Sequence, residues 1–176
     1  MQQVILVNEH DEQLDVMEKI EAHEKALLHR AFSVFIFNKN GEMLLQQRAW
    51  SKYHSGGLWT NACCSHPNPG EDTMAAATRR LREELGFVTP LEKVFHFTYK
   101  AAFDNGLTEH EFDHVFVGYY EGDMQPDTNE VAAVSYRSMK DIRTSLASHP
   151  QEYTVWFRIA FNKIDQWHKQ YGKASA

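Results

Sequence analysis

Residues 59 to 86 constrain this chain more than any other stretch, because they bring two cysteines, a histidine and a charged helix close together. The segment reads Trp-Thr-Asn-Ala-Cys-Cys-Ser-His-Pro-Asn-Pro-Gly-Glu, then Asp-Thr-Met-Ala-Ala-Ala-Thr-Arg-Arg-Leu-Arg-Glu-Glu-Leu-Gly. Gly70-Glu71 opens a helix that runs to Leu85, with Ala75 to Ala77 as strong helix formers and Gly86 as the C-terminal stop. Ala77, Leu81 and Leu85 recur at four-residue spacing and predict a buried stripe, while Arg80 and Glu84 occupy a neighbouring face. That face can hold one carboxylate and one guanidinium beside a bound anion. The bland alternative is a solvated helix whose Arg79/Glu83 and Arg80/Glu84 pairs contribute only about 0.2–0.5 kcal/mol each, in the less favourable Arg-first order. Cys64 and His66, directly upstream, weigh against it.

At 176 residues the chain predicts a single domain, 1–176, large enough to bury roughly two thirds of its unfolded surface without disulfide or metal staples. A net charge of -6 argues against a general nucleic-acid footprint. Around the best motif the balance reverses, with Arg48, Lys52, Arg79, Arg80 and Arg82 against Glu71 and Asp72. A basic patch on an acidic protein suggests a small anionic ligand. The start, Met-Gln-Gln-Val-Ile-Leu-Val-Asn, lacks a basic region and carries too short an apolar run for a signal peptide, and no later stretch could span a bilayer. A soluble cytoplasmic protein is the expectation. Cys63 and Cys64 are the only cysteines, and a disulfide between neighbours strains the peptide and closes no useful loop, so at least one is a free thiol.

Val4 to Val7 reads as a strand, and Leu14 to Ala22 stays open between strand and helix. Phe32 to Phe37, the turn Asn38-Lys39-Asn40-Gly41 and Met43 to Arg48 predict a hairpin. Val94 to Phe103 and Leu107 to Tyr119 flank Asp104-Asn105-Gly106, a second hairpin turn whose register puts Tyr99 opposite Glu111 on one face. Glu130 to Tyr136 is a short strand and Asp141 to Leu146 a short helix. From Tyr153 to Tyr171, residues Tyr153, Trp156, Phe157, Ala160, Phe161, Ile164 and Trp167 recur at helical spacing. Without regular βαβ alternation, the pattern predicts an α+β fold in which helices sandwich a mixed sheet.

Cys64, two residues from His66, offers a thiol able to act as acid, base or nucleophile, with a buried structural cysteine as the alternative. Glu109 and Glu111 point to one face of a strand that runs into the apolar Phe112 to Val117 stretch, and two buried carboxylates there would want a cation. The chain holds ten histidines. His23 and His29 would lie roughly 240° apart on one helix, so they converge only where the chain bends between them. With His66, Glu109 and Glu111 they make three nitrogens and two carboxylates, a set suited to octahedral Mn²⁺ or Mg²⁺ and acceptable to Zn²⁺. Trp156 reads as a core aromatic by periodicity, although an indole face beside a cation contributes about 0.5–2 kcal/mol.

Ser65 through Gly86 resembles the Nudix box, in which Gly, five residues, Glu, seven residues and Arg-Glu-hydrophobic-x-Glu-Glu-x-Gly present glutamates to Mg²⁺ and a pyrophosphate. Ser65 stands at the first Gly, and Arg80 stands at the Glu of the Arg-Glu pair. A permanent cation at Arg80 removes a metal ligand and adds a bidentate phosphate donor. Further motifs between Lys19 and Trp156 make the chain similar to type I isopentenyl-diphosphate isomerases, which also carry Arg there. They include His23, His29-Arg-Ala-Phe-Ser, Arg48-Ala-Trp-Ser-Lys52, Trp59 to His66 and Glu109-His-Glu111.

That resemblance implies a Nudix fold and an isomerase acting on a small isoprenoid diphosphate, with a Nudix pyrophosphohydrolase as the alternative. It implies that His23, His29, His66, Glu109 and Glu111 hold Mn²⁺ or another divalent ion, and that Glu84 with the Cys64 carbonyl holds a substrate-associated Mg²⁺. By the same resemblance Lys19, Arg48, Lys52 and Arg80 bind diphosphate, Cys64 and Glu111 transfer protons, Tyr99 assists Glu111, and Trp156 faces the cation. Neither flavin nor nicotinamide is implied, and neither is a nucleic-acid or membrane partner. Oligomeric state is left open.

Overall fold

The computed structural model describes residues 1–172. Its nine strands belong to one mixed sheet: β1 (Gln3–Val7), β2 (Gln13–Glu18), β3 (His29–Phe37), β4 (Met43–Arg48), β5 (Trp59–Thr60), β6 (Cys63–Ser65), β7 (Leu91–Ala102), β8 (Thr108–Tyr119) and β9 (Val131–Arg137). The helices are α1 (Lys19–Glu24), α2 (Thr73–Leu85), α3 (Met139–Ser148) and α4 (Val155–Tyr171).

β3 organises the molecule. Six of its nine residues are apolar, and all but Arg30 are buried, as expected of a strand covered on both faces. It runs parallel to β8 from His29↔Glu111 to Phe37↔Tyr119, and on its other edge it meets β1, β6 and β4 in turn. The remaining pairings are antiparallel. One sheet face, with Phe35, Phe37, Val115 and Tyr99, packs against Trp156, Phe157, Phe161 and Ile164 of α4. The opposite face, with Phe32, Val34, Ile36 and Phe116, packs against Ala77, Leu81 and Leu85 of α2. The stripe expected on α2 is therefore the one it buries.

Both long helices have side-chain caps. The Asp72 carboxylate accepts from the Ala75 N–H at the start of α2, and Thr154 Oγ1 accepts from the Phe157 N–H at the start of α4. Gly86 closes α2 at φ 76, in the left-handed region. Leu14 to Ala22 divides between strand and helix: β2 ends at Glu18, whose carboxylate caps α1 by accepting from the Glu21 N–H at 2.9 Å. The expected β3–β4 hairpin holds only at its base, where Phe37 pairs with Met43. Beyond it β4 leaves for β5 and β9, because β3 is satisfied by the parallel β8 and by β6. The β7–β8 hairpin has the predicted register, with Tyr99 opposite Glu111.

Candidate active site

Three histidines from three different elements meet on the α4 side of the sheet. His23 lies in the last turn of α1, His29 opens β3, and His66 follows β6. Their ring centroids are 5.0, 5.0 and 5.9 Å apart. The chain bends between His23 and His29 because α1 stops at Glu24, with Ala26 at a φ of 55. His23 Nδ1 donates to the Lys19 carbonyl at 2.6 Å and His29 Nδ1 to the Leu27 carbonyl at 2.9 Å. Those bonds fix the tautomers, so both Nε2 atoms carry lone pairs.

The histidine ligand atoms all fall within 4.8 Å of one another, and His29 Nε2 is 3.3 Å from His66 Nε2. Buried His23 Nε2 has no hydrogen-bond partner. Two carboxylates from β8 close the nest: Glu109 Oε1 is 3.6 Å from His23 Nε2, and Glu111 Oε2 is 3.3 Å from His29 Nε2 and 2.7 Å from His66 Nε2. Converging lone pairs, an orphaned buried nitrogen and two carboxylates fit a divalent metal ion.

Tyr99 on β7 donates to Glu111 Oε1, and its hydroxyl is also 2.7 Å from Glu109 Oε2. Burial pushes the Tyr99 phenol well up, and the Glu109 and Glu111 charges push it further, so it acts as a donor. Burial and the Glu109 charge push Glu111 up. The His29 and His66 imidazoles beside it more than offset this and hold it below the usual carboxylate range.

Strand alternation separates the two cysteines. Cys63 pairs with Val34 and points into the α2 core, whereas Cys64 pairs with Ser33 and faces the same side as Glu111. Because β6 and β8 flank opposite edges of β3, the thiol and the carboxylate reach one cavity from two directions. Cys64 Sγ donates to Asn61 Oδ1 at 3.1 Å and lies 3.5 Å from Ser33 Oγ, which donates to Asp113 Oδ2 at 2.7 Å. Burial, then the charge of Asp113, pushes the Cys64 thiol up, so it rests as S–H.

The cavity holds about 590 Å³ with its open mouth, and the expected anion-binding residues line it. Lys19 Nζ sits 4.8 Å above the Tyr53 ring and Lys52 Nζ 6.0 Å from it. The Arg48 guanidinium lies 5.1 Å over the Trp156 ring. Arg80 reaches Glu83 at 2.5 Å and buried Glu84 at 3.1 Å, and Lys52 reaches Glu130 at 2.7 Å. Burial pushes Lys19 down, with Lys52 adding repulsion, and pushes Glu84 up against the opposing charge of Arg80. The i,i+4 pairs of the bland reading exist, yet Arg80 and Glu84 line the cavity and are not a solvated face. Trp156 is both a core residue and a cavity wall, 4% exposed.

All thirteen positions singled out in the sequence line this cavity or the adjoining histidine nest. Sequence reasoning missed Tyr53, His54 and Glu130 in the lining, and Ser33, Asn61 and Asp113 around the Cys64 sulfur. Ser33 did leave a signal, as a single polar residue inside the apolar run of β3, whereas Asp113 is one of several polar residues in the first half of β8.

Comparison with known proteins agrees with the geometry. The NUDIX domain family pattern matches residues 27–157. An isopentenyl-diphosphate Delta-isomerase of Pectobacterium atrosepticum is 49% identical over 166 residues, covering 94% of this chain and 93% of its own. Its namesake from Burkholderia multivorans is 47% identical over 162 residues, covering 92% of each. Among solved structures, DR0079 from Deinococcus radiodurans superimposes with a TM-score of 0.77 at 16% identity, covering 92% of this chain and 98% of that one, and shares the fold. A MutT protein from Methanosarcina mazei gives 0.66 at 22% identity, covering 81% and 96%. The chain belongs to the NUDIX family and, within it, to the isopentenyl-diphosphate Delta-isomerases.

Proposed function

We propose that this protein interconverts isopentenyl diphosphate and dimethylallyl diphosphate by moving a proton on and off carbon at one site. The observation that carries this reading is the placement of Cys64 and Glu111. The two groups reach a single cavity from opposite flanks of β3, behind Lys19, Arg48, Lys52 and Arg80.

Shifting a double bond from C3–C4 to C2–C3 adds a proton to an unactivated alkene carbon and removes another from C2. Two proton-transfer groups on different walls are needed. Glu111, held by Tyr99, serves one wall, and the Cys64 thiol, held by Asn61 and Ser33, serves the other. The four cations fix the diphosphate, so the hydrocarbon is presented to both. Trp156 offers an aromatic face to the tertiary cation, worth about 2 kcal/mol when desolvated, and its buried setting helps exclude the water that would trap the cation as an alcohol.

His23, His29, His66, Glu109 and Glu111 would hold Mn²⁺ or another divalent ion, and Glu84 with the Cys64 carbonyl would hold the Mg²⁺ that arrives with the diphosphate. Bound there, such ions supply positive charge that makes the site more acidic and neutralises the diphosphate. The free thiols suit a reducing compartment such as the cytoplasm. Among the described residues no helix is long and apolar enough to cross a membrane. Arg80, where a hydrolase carries a metal-binding carboxylate, disfavours pyrophosphate hydrolysis. Incubation with isopentenyl diphosphate and Mg²⁺ should yield dimethylallyl diphosphate without release of phosphate. Phosphate release without the isomer would show a hydrolase.

A further inference from the structure

His54 stands between the histidine nest and the aromatic wall, in the loop between β4 and β5 just past the Arg48 to Lys52 motif. Its side chain is 4% exposed. Nδ1 is 3.1 Å from Ser55 Oγ, and buried Nε2 has no regular hydrogen-bond partner but lies 3.2 Å from Glu109 Oε1. One ring face stacks on Phe103 at 4.6 Å and 11°, and the ring meets Trp156 edge-on at 5.7 Å and 82°. The backbone carbonyl of His54 accepts from Arg48 Nη2 at 3.2 Å, and Arg48 covers the same indole.

We propose that His54 is a positioning residue of this site, holding the Glu109 carboxylate against the three histidines and bracing the Trp156 indole with the same ring. The two contacts use different parts of the imidazole. The Nε2 side faces Glu109 Oε1, the oxygen turned towards His23, while the other oxygen lies 2.7 Å from the Tyr99 hydroxyl, so the carboxylate is flanked on both sides. The carbon framework packs between Phe103 and Trp156 and limits the tilt of the indole. A buried nitrogen beside a carboxylate would be costly in an ordinary wall. Here it gives direction to a group that would ligate a divalent ion.

The proposal rests on the reading above only in assigning the nest to a divalent ion, and its two halves separate by substitution. His54→Gln keeps an N–H donor without the ring, His54→Phe keeps the ring without the donor, and His54→Ala loses both. The readouts are Mn²⁺ affinity of the full chain by chelator competition, and the fluorine resonance of Trp156 in 5-fluorotryptophan-labelled protein, assigned with Trp156→Phe. We expect Mn²⁺ binding to weaken by about 10-fold or more in the Phe and Ala variants and to stay within about 3-fold of wild type in Gln. The Trp156 resonance should shift in Gln and Ala and hold in Phe.

Equal losses in Gln and Phe would reduce His54 to a packing residue and overturn the proposal, as would Mn²⁺ affinity in Phe equal to wild type. If one of these two variants does not fold, the other still decides, because each makes its own prediction for the two readouts. Wild-type protein that binds Mn²⁺ but does not isomerise would sink the proposed function and leave this assignment standing.

Discussion

Tyr99 stands directly across the β7–β8 ladder from Glu111 and gives its hydroxyl hydrogen to Glu111 Oε1. A phenol has one hydrogen, and Glu109 Oε2 is also within reach at 2.7 Å, so the bond fixes how the two carboxylates share a single donor. Tyr99→Phe removes that donor and keeps the ring. A hydrogen bond to a charged group contributes about 1.5–3 kcal/mol, so kcat should fall roughly 10- to 100-fold. KM for isopentenyl diphosphate should hold, because the cations are untouched. Steady-state kinetics with unchanged kcat would remove Tyr99 from the mechanism.

The parity of β6 assigns the two thiols different tasks. Cys64→Ala should abolish turnover in a protein that still folds, since the cavity loses one of its two proton-transfer groups. Cys63→Ala should remain active with slightly lower stability, because it removes one sulfur from the α2 core. Thermal melting beside the activity assay separates the two outcomes. Comparable activity in both variants would break the assignment.

Much of this site is legible in the sequence where local rules decide. The three-residue turn at Asp104-Asn105-Gly106 sets the register that joins Tyr99 to Glu111, and α2 follows from its alanines, its leucine stripe and Gly86. The meeting of His23 with His29 is less accessible, because the end of α1 is set by a backbone turn at Ala26 and by the start of β3. The β3–β4 pairing misleads for a related reason: β6, about thirty residues away, takes the β3 edge that the adjacent strand would have used, and non-local pairing leaves no local pattern. Tyr53 and His54 lie in a glycine- and serine-rich loop without periodicity, so only tertiary placement reveals them.

Arg80 most separates this chain from a hydrolase. Arg80→Ala should raise KM for isopentenyl diphosphate by about 10-fold or more and weaken inhibition by inorganic diphosphate, because a charge-assisted bond to a half-buried anion contributes about 1.5–3 kcal/mol. Arg80→Glu should not create nucleotide hydrolysis. Unchanged KM in Arg80→Ala would make Arg80 only a partner of Glu83 and Glu84.

Stability should carry a pH dependence from a second histidine site. His114 Nε2 donates to Asp11 Oδ2 at 2.9 Å, while Arg30 holds Asp11 Oδ1 at 2.7 Å. Burial, with repulsion from Lys93, pushes the imidazole down from 6.5 to about 4. The unfolded chain therefore takes up this proton first as pH falls. The contribution of the neutral ring is complete above about 6.5 and is lost progressively towards 4. Denaturant midpoints at pH 7.5 and pH 5 should differ less in His114→Gln than in wild type, and an equal drop in both would exclude His114 as the cause.

The account as a whole rests on proton transfer to carbon. Isopentenyl diphosphate incubated in D₂O with the Mg²⁺-supplemented enzyme should give dimethylallyl diphosphate carrying deuterium in the methyl group formed from C4, by NMR and mass spectrometry. Cys64→Ala and Glu111→Gln should give no detectable label in the same time. Unlabelled substrate with inorganic phosphate accumulating, or label appearing equally in the Cys64→Ala protein, would contradict the claim that these two residues carry the reaction.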